Sequence, residues 1–457
     1  MVFSRRSFMA GATALGLAPK LAFANAAEQL IASESSHQIA PEAYPATSVW
    51  CFNDSIPGSL IKVKQGQKIE REFVNRLPQD SSVHWHGIRL NNAMDGVPGV
   101  TQDVVKPGGS FDYHFTAPDA GTYWYHSHNR SLEQVERGLY GPIIVEEHEL
   151  PDVDRDEVIV LDDWLFTEQA QIHGDFNAMH SLSHGGRLGN YLTAMTLARE
   201  PLTVKQNERI RLRFINVATD KIFSIGLHGF EGKVVALDGM PLVEPIPLDH
   251  LVLGPAQRAD VIADVTTEDG GLATIVSHER SSAIVLAEVT VSGKASRAKR
   301  DEMKALPLNH VESPGDLMKA KRAPLLMEGG AMGRLRAGIY KGEELSIRDL
   351  VRNGQVWTFN GVANITDEPL AELNLGEDLV IPITNQTAFP HAMHLHGHHF
   401  QEVLADGSLG PFRDTLLVNR NETREIAFKA TNPGSWLFHC HMLSHQKAGM
   451  KTFVRVS

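Results

Sequence analysis

Near the C-terminus a single Cys lies between two His, in His439-Cys440-His441, and His445 and Met450 follow shortly after. The run Trp436 to Met442 is apolar and aromatic and follows an Asn-Pro-Gly-Ser turn, which predicts a strand. Side chains alternate faces along a strand, so His439 and His441 point one way and Cys440 the other. Thiolate, imidazole and a weak thioether together make the ligand set of a blue-copper electron-transfer site. The imidazoles on the reverse face offer a second metal site, joined to the first through two peptide units. The competing reading is a surface histidine cluster on the last strand.

Three further histidine groups match this one: His84/His86, His126/His128 and His391/His394/His396. With His439/His441/His445 they hold ten of the 22 histidines. In each H-x-H pair both side chains share a strand face and can enter one cavity. If the first and last thirds of the chain pack face to face, eight imidazoles converge, and His391 is left to join Cys440.

The elements that must position these residues repeat three times. Gly66-to-Asn75 leads to His84-Trp-His86-Gly87, Asn207-to-Asn216 to Gly226-Leu-His228-Gly229, and Gly376-to-Asn385 to His394-Leu-His396-Gly397. Each lead-in is an alternating strand pattern bounded by turn residues. A second element, Gly121-Thr-Tyr-Trp-Tyr-His126-Ser-His128, matches Gly434-Ser-Trp-Leu-Phe-His439-Cys440-His441 in the outer copies. The middle copy has Gly226 where the others have a first His and reads as metal-free. Helical signals are weak and turn residues recur, which predicts an all-β chain of three consecutive Greek-key β-sandwich or barrel domains. About 430 residues beyond a leader are too many for one core. The expected divisions are 27–150, 151–295, a charged linker over 296–345 with room for one short helix, and 346–457.

Residues 1–26 carry a twin-arginine pattern, Ser4-Arg5-Arg6-Ser7-Phe8-Met9, then an Ala/Gly-rich apolar stretch and Ala24-Asn25-Ala26. This is the form of an export signal read by the twin-arginine machinery, and it predicts a periplasmic protein. No apolar run is long enough to span a bilayer, so no membrane insertion is expected. The net charge of −12 becomes −15 without the leader, which argues against nucleic acid and anionic-membrane partners. Of the two cysteines, Cys51 lies in Val49-Trp50-Cys51-Phe52 and reads as a buried packing residue; with Cys440 on metal, no disulfide is available.

The four histidine motifs, in this order and spacing, together with Met94-Asp95-Gly96-Val97-Pro98-Gly99, resemble the copper signatures of multicopper oxidases, the family of laccases and bacterial copper-resistance oxidases. The resemblance covers essentially the whole chain after the leader and implies three cupredoxin-like domains. It implies four copper ions: a type 1 ion on Cys440, His391 and His445 with axial Met450, a type 2 ion on His84 and His394, and a type 3 pair on His86, His126, His128, His396, His439 and His441. It also implies a laccase-like oxidase that takes electrons from phenols or aromatic amines and passes them to O2, the alternative reductant being Cu(I) in copper tolerance. Asp95 matches an acid the family places near the trinuclear cluster and is expected to relay protons. Many bacterial relatives carry an acid just after the last His ligand, where this chain has Gln446, which cannot give up and regain a proton as a carboxylic acid does. His173, Met179, His180 and His184 fall in a Gly-rich part of the middle copy and read as solvent-exposed loop residues. His398 reads as structural. Met303, Met318, Met327 and Met332 are scattered, with no dense Met-rich insert.

Overall fold

Strand pairing sorts the chain into three units of two sheets each, in a computed structural model that describes residues 28–295 and 302–457. The predicted leader, 1–26, lies outside the described residues. In the first unit Thr47–Phe52, Glu28–His37, Lys68–Asn75 and Ser110–Thr116 make one sheet. Ile61–Lys64, Tyr140–Glu146, Gly121–Ser127 and Val83–His86 make the other. The third unit repeats this second sheet with Ala371–Leu373, Lys451–Val456, Gly434–Cys440, His391–Leu395 and Thr415–Val418. The middle unit packs a six-stranded sheet against a five-stranded one. Among the described residues the helices are short, the longest having six residues. No helix among the described residues is long and apolar enough to cross a membrane. Part of the stretch read as linker is built into the third unit: Leu325–Gly329 pairs in parallel with Asp378–Asn385, burying Leu325 and Met327. The short helix, Ile347–Arg352, follows just after that stretch.

Each strand carrying a repeat ends on an Asn with the same local task. Asn75, Asn216 and Asn385 accept a hydrogen bond from the backbone N–H two residues on, at 3.0, 3.1 and 2.9 Å. Their side-chain amides donate to carbonyls of the loop and of a neighbouring segment. This Asx turn satisfies buried backbone groups and sends the chain into the strand that bears the histidines. The glycine closing each motif turns the chain out again with positive φ: Gly87 at 84°, Gly229 at 83° and Gly397 at 66°. All of them are also tightly packed; a Cβ on Gly397 would meet the Trp436 ring at 2.2 Å.

One apolar cluster runs through the first and third units, with Phe73, Trp85 and Tyr125 in continuity with Trp357, Phe428 and Trp436. The middle unit has its own core around Leu212, Phe214 and Val261. The shared cluster is what presses the two histidine-bearing sheets together, because burying apolar area is the dominant cohesive term.

Candidate metal centres

Register sets the first level of geometry. His84 lies opposite His126 across their strand pair, and His394 lies opposite His439 across theirs. Each outer unit therefore presents imidazoles from two adjacent strands on one face. The faces meet: His441 Nε2 is 3.4 Å from His126 Nε2 of the first unit, and within the third unit His396 Nε2 is 3.1 Å from His439 Nε2. The rings of His84 and His396, from different units, stack with centroids 3.9 Å apart. Donor atoms of His84, His394 and His396, of His84, His86 and His126, and of His128, His396 and His439 each fall within 4.8 Å of one another.

The strand predicted over Trp436 to Met442 runs from Gly434 to Cys440, and its alternation is as read. On the reverse side from His439 and His441, Cys440 Sγ lies 3.6 Å from His391 Nδ1 and 3.8 Å from His445 Nδ1. Those two nitrogens are 3.0 Å apart. Met450 is buried beside them, its carbonyl accepting from the Cys440 N–H. His445 rides on the short helix Leu443–Lys447, which Asp220 of the middle unit holds by accepting from the Ser444 N–H and Oγ.

The hydrogen bonds decide where the lone pairs point. Nδ1 of His84, His126, His394 and His439 each donates to a backbone carbonyl at 2.8–2.9 Å. His396 Nδ1 donates to Asp95 Oδ2 at 2.9 Å, and His86 Nε2 to Asp414 Oδ1 at 3.2 Å. His391 Nε2 bonds Thr387 Oγ1, and His445 Nε2 donates to the His184 carbonyl at 2.7 Å. Each ring then turns its unprotonated nitrogen inward. His84 Nε2, His86 Nδ1, His128 Nε2 and His394 Nε2 are buried with no partner among the described residues. Lone pairs facing one another at 3.0–3.4 Å repel, and a buried imidazole nitrogen left unpaired is costly. Cations held between them remove both penalties, so the residues fit bound metal.

Electrostatics favour the same state. Burial, then neighbouring imidazoles, holds His126, His128, His396, His439 and His441 well below the ordinary histidine range, in the neutral form that ligates. Burial pushes the Cys440 thiol up, so an added cation is what would deprotonate it. One thiolate with two imidazoles and a thioether selects copper, and imidazoles alone suit it.

Asp95 lies inside this centre, its carboxylate on His396 Nδ1 and 3.3 Å from His84 Nδ1. Gln446 is there too, its Nε2 3.4 Å from His439 Nδ1. His398 is buried against Phe428 and accepts from the Asn432 N–H, a structural place. Of the middle-copy residues read as solvent-exposed loop, His173, Met179 and His180 are exposed, the last two on a short helix, and His184 is partly buried. Met179–Ser183 is a short helix, and its last turn puts the His184 carbonyl on His445. The burial of Trp357, which donates to the Leu182 carbonyl, holds the helix there. Cys51 is buried, yet His37 Nε2 stands 4.0 Å from its Sγ.

Asp414 and Arg258 were missed in the sequence, where no motif marks them. Asp414 touches His86 by its carboxylate and His394 by its carbonyl, and Arg258 of the middle unit forks onto it. A pocket of about 520 Å³, lined by His128, Arg130, Glu133, Gln446 and Lys451, reaches the cluster from solvent.

Multicopper oxidase family models match residues 34–150, 156–284 and 340–457. The multicopper oxidase MmcO of Mycobacterium tuberculosis is 33% identical over 436 residues, covering 89% of this chain and 83% of that protein. Laccase-1 of Botryotinia fuckeliana is 30% identical over 87% of this chain and 77% of its own length. Among solved structures, Lac15 from a marine microbial metagenome superposes with a TM-score of 0.78 at 44% identity, covering 94% of this chain and all of the other. Three cupredoxin-type sandwiches, convergent imidazoles and these matches together establish that the chain belongs to the multicopper oxidase family, copper-dependent oxidoreductases that use O2 as electron acceptor.

Proposed function

We propose that the protein is a laccase-like oxidase that couples one-electron oxidation of phenols or aromatic amines to four-electron reduction of O2 to water. His391, Cys440, His445 and Met450 would hold a type 1 copper, His84 and His394 a type 2 copper, and His86, His126, His128, His396, His439 and His441 a type 3 pair. These ions would supply one-electron redox steps and storage of the four electrons that O2 requires. The observation that carries the reading is the two-sided strand end. Cys440 faces His391 and His445, while its covalent neighbours His439 and His441 face His396 and His126.

The chain's own groups do the remaining work. Backbone carbonyls and the Asp95 and Asp414 carboxylates fix the tautomers of His84, His86, His126, His394, His396 and His439, so that the inward nitrogen of each is a lone pair. Asp95 Oδ2, on His396 Nδ1 at 2.9 Å, is placed to hold and pass a proton beside the O2 site. Gln446, an amide, cannot give up and regain a proton there as a carboxylic acid does. The pocket past His128 admits O2 and water. Reductant would hand over its electron near His445, whose Nε2 hydrogen bonds to the His184 carbonyl close to the surface. The twin-arginine pattern supports periplasmic export.

A second reading, oxidation of Cu(I), is favoured by Met179 and His180, which are exposed on the helix that touches His445. O2 uptake by the copper-loaded protein, with a simple phenol and with Cu(I) side by side, separates the two. Phenol turnover without added copper supports the first reading; turnover confined to Cu(I) replaces it with the second; no uptake with either removes both.

A further inference from the structure

The middle unit carries its own version of the histidine face, and it is exposed. In the outer units His84 pairs with His126 and His394 with His439; the corresponding pair in the middle unit is Gly226 with Val276. Two residues on from these, His228 stands where the outer copies have His86 and His396. His278 stands where they have His128 and His441. The sequence agrees once register is known: Gly271-Leu-Ala-Thr-Ile-Val276-Ser277-His278 has the same five-residue step from Gly as Gly121 to His126, and the same Ser-His ending as His126-Ser127-His128. The middle copy has lost the first His of each pair and kept the second.

A third imidazole joins them. Leu251–Leu253 pairs with Phe223–His228, with Val252 opposite Ser224. His250, two residues before Val252, therefore shares the face of Ser224, Gly226 and His228. The ring centroids of His250 and His278 are 5.4 Å apart, and those of His228 and His278 are 6.3 Å apart. Several imidazole pairs in the buried centres lie at similar separations, such as 5.1 Å for His128 and His396 and 6.0 Å for His84 and His394. Gly226 makes the arrangement possible, because a Cβ there would lie 2.5 Å from His278 Nε2. The His278 ring thus occupies room that the lost first His would fill. Ser224 Oγ lies 2.6 Å from His250 Nε2 and fixes that ring, which leaves Nδ1 for another ligand. Next to His278, Glu279 pairs with Lys221 at 3.0 Å.

We propose that His228, His250 and His278 form a mononuclear site for a borderline divalent cation, Cu(II) or Zn(II), on the outer face of the middle unit. Three imidazoles with coordination completed by water suit either ion. All three rings are solvent-exposed, so the site exchanges freely with the medium, unlike the buried centres. It does not depend on the oxidase reading, since no residue of it touches the buried centres.

The test is equilibrium dialysis of the copper-loaded holoenzyme against Zn(II), for the wild type and for His278→Asn and His228→Asn. The wild type takes up one more equivalent of Zn(II) than either variant, or binds it at least tenfold more tightly. The visible copper band and the rate of O2 uptake stay the same in all three proteins, which shows that the variants fold and keep their copper. Equal Zn(II) uptake by wild type and both variants overturns the site, as does a wild type that binds none.

Discussion

Arg258 of the middle unit forks onto Asp414 of the third, with Nη1 2.9 Å from Oδ1 and Nη2 2.7 Å from Oδ2. The same carboxylate receives the Nε2 proton of His86 from the first unit, so three units meet at one ion pair. Both partners are fully buried. Burial alone would raise the Asp414 carboxyl, but Arg258, then His86 and His394, holds it well below the usual range. The pair also accounts for the glycine after the first H-x-H: a Cβ on Gly87 would lie 2.3 Å from Arg258 Nη2. The middle unit thus reaches His86 and His394 through this guanidinium, as it reaches His445 through the His184 carbonyl.

Replacing Arg258 with Met leaves Asp414 charged, buried and unpaired. Removing one partner of a buried pair costs about 3–5 kcal/mol. Thermal unfolding of Arg258→Met should show that loss, and metal analysis should show depletion of copper from the histidine cluster while the thiolate-centred visible band persists. A variant with wild-type stability and full copper content would show that Asp414 needs no such partner.

Cys440→Ser removes the only thiolate donor of its centre. Oxygen in place of sulfur cannot give the intense charge-transfer absorption of a copper–thiolate bond. The copper-loaded variant should be colourless and consume no O2 with any reductant. Cys51→Ser, distant in sequence and outside both centres, should stay coloured; visible spectra of the two variants make the comparison.

Asp95→Asn keeps the size of the side chain and removes the titrating oxygen. O2 uptake should fall by about 10²-fold or more, the usual effect of losing a positioned proton donor. The visible band should be unchanged, because Asp95 contacts His84 and His396 and not Cys440. An unaltered O2 rate would take Asp95 out of the proton path.

Glu136 and Asp163 are buried close to Arg187, between the first and middle units. Burial, opposed by Arg187 and aided by Asp163, pushes Glu136 up to about 8. Burial pushes Asp163 up to about 7. Both acids bind their proton more tightly folded than unfolded. Their stabilising contribution is therefore complete below their ordinary values of 4.5 and 3.8 and is lost as pH rises through about 7 to 8. The melting temperature should fall between pH 5 and pH 8, and Glu136→Gln should flatten that slope; a slope equal to wild type would place the titration elsewhere.

Much of the chemistry was legible because it is local. An H-C-H triplet on a strand must put sulfur and imidazoles on opposite faces, whatever surrounds it, since backbone pleating sets the alternation. The repeated Asn and Gly positions were legible for the same reason: an Asx turn and a positive-φ residue are demands of a few consecutive peptides. What lacked a sequence signal was contact between residues far apart. Asp414 and Arg258 sit in ordinary strand-and-loop contexts and acquire meaning only where three units meet. His184 looked like a loop residue because nothing near it in the chain shows that His445 will lie beneath its carbonyl. The middle copy's second element escaped notice because Val276 hides the first His of its pair, and only strand register lines up His278.

By itself, then, the sequence determined which residues could bind metal, their sharing of strand faces and the threefold repeat, all of which follow from residue type, covalent spacing and backbone periodicity. Tertiary structure alone decided which imidazole nitrogens face one another, which carboxylates hold them, and that the middle unit braces the centre through Arg258. Those relationships depend on how separate apolar faces dock. Docking is set by the burial of residues scattered over the whole chain, and no local spacing records it.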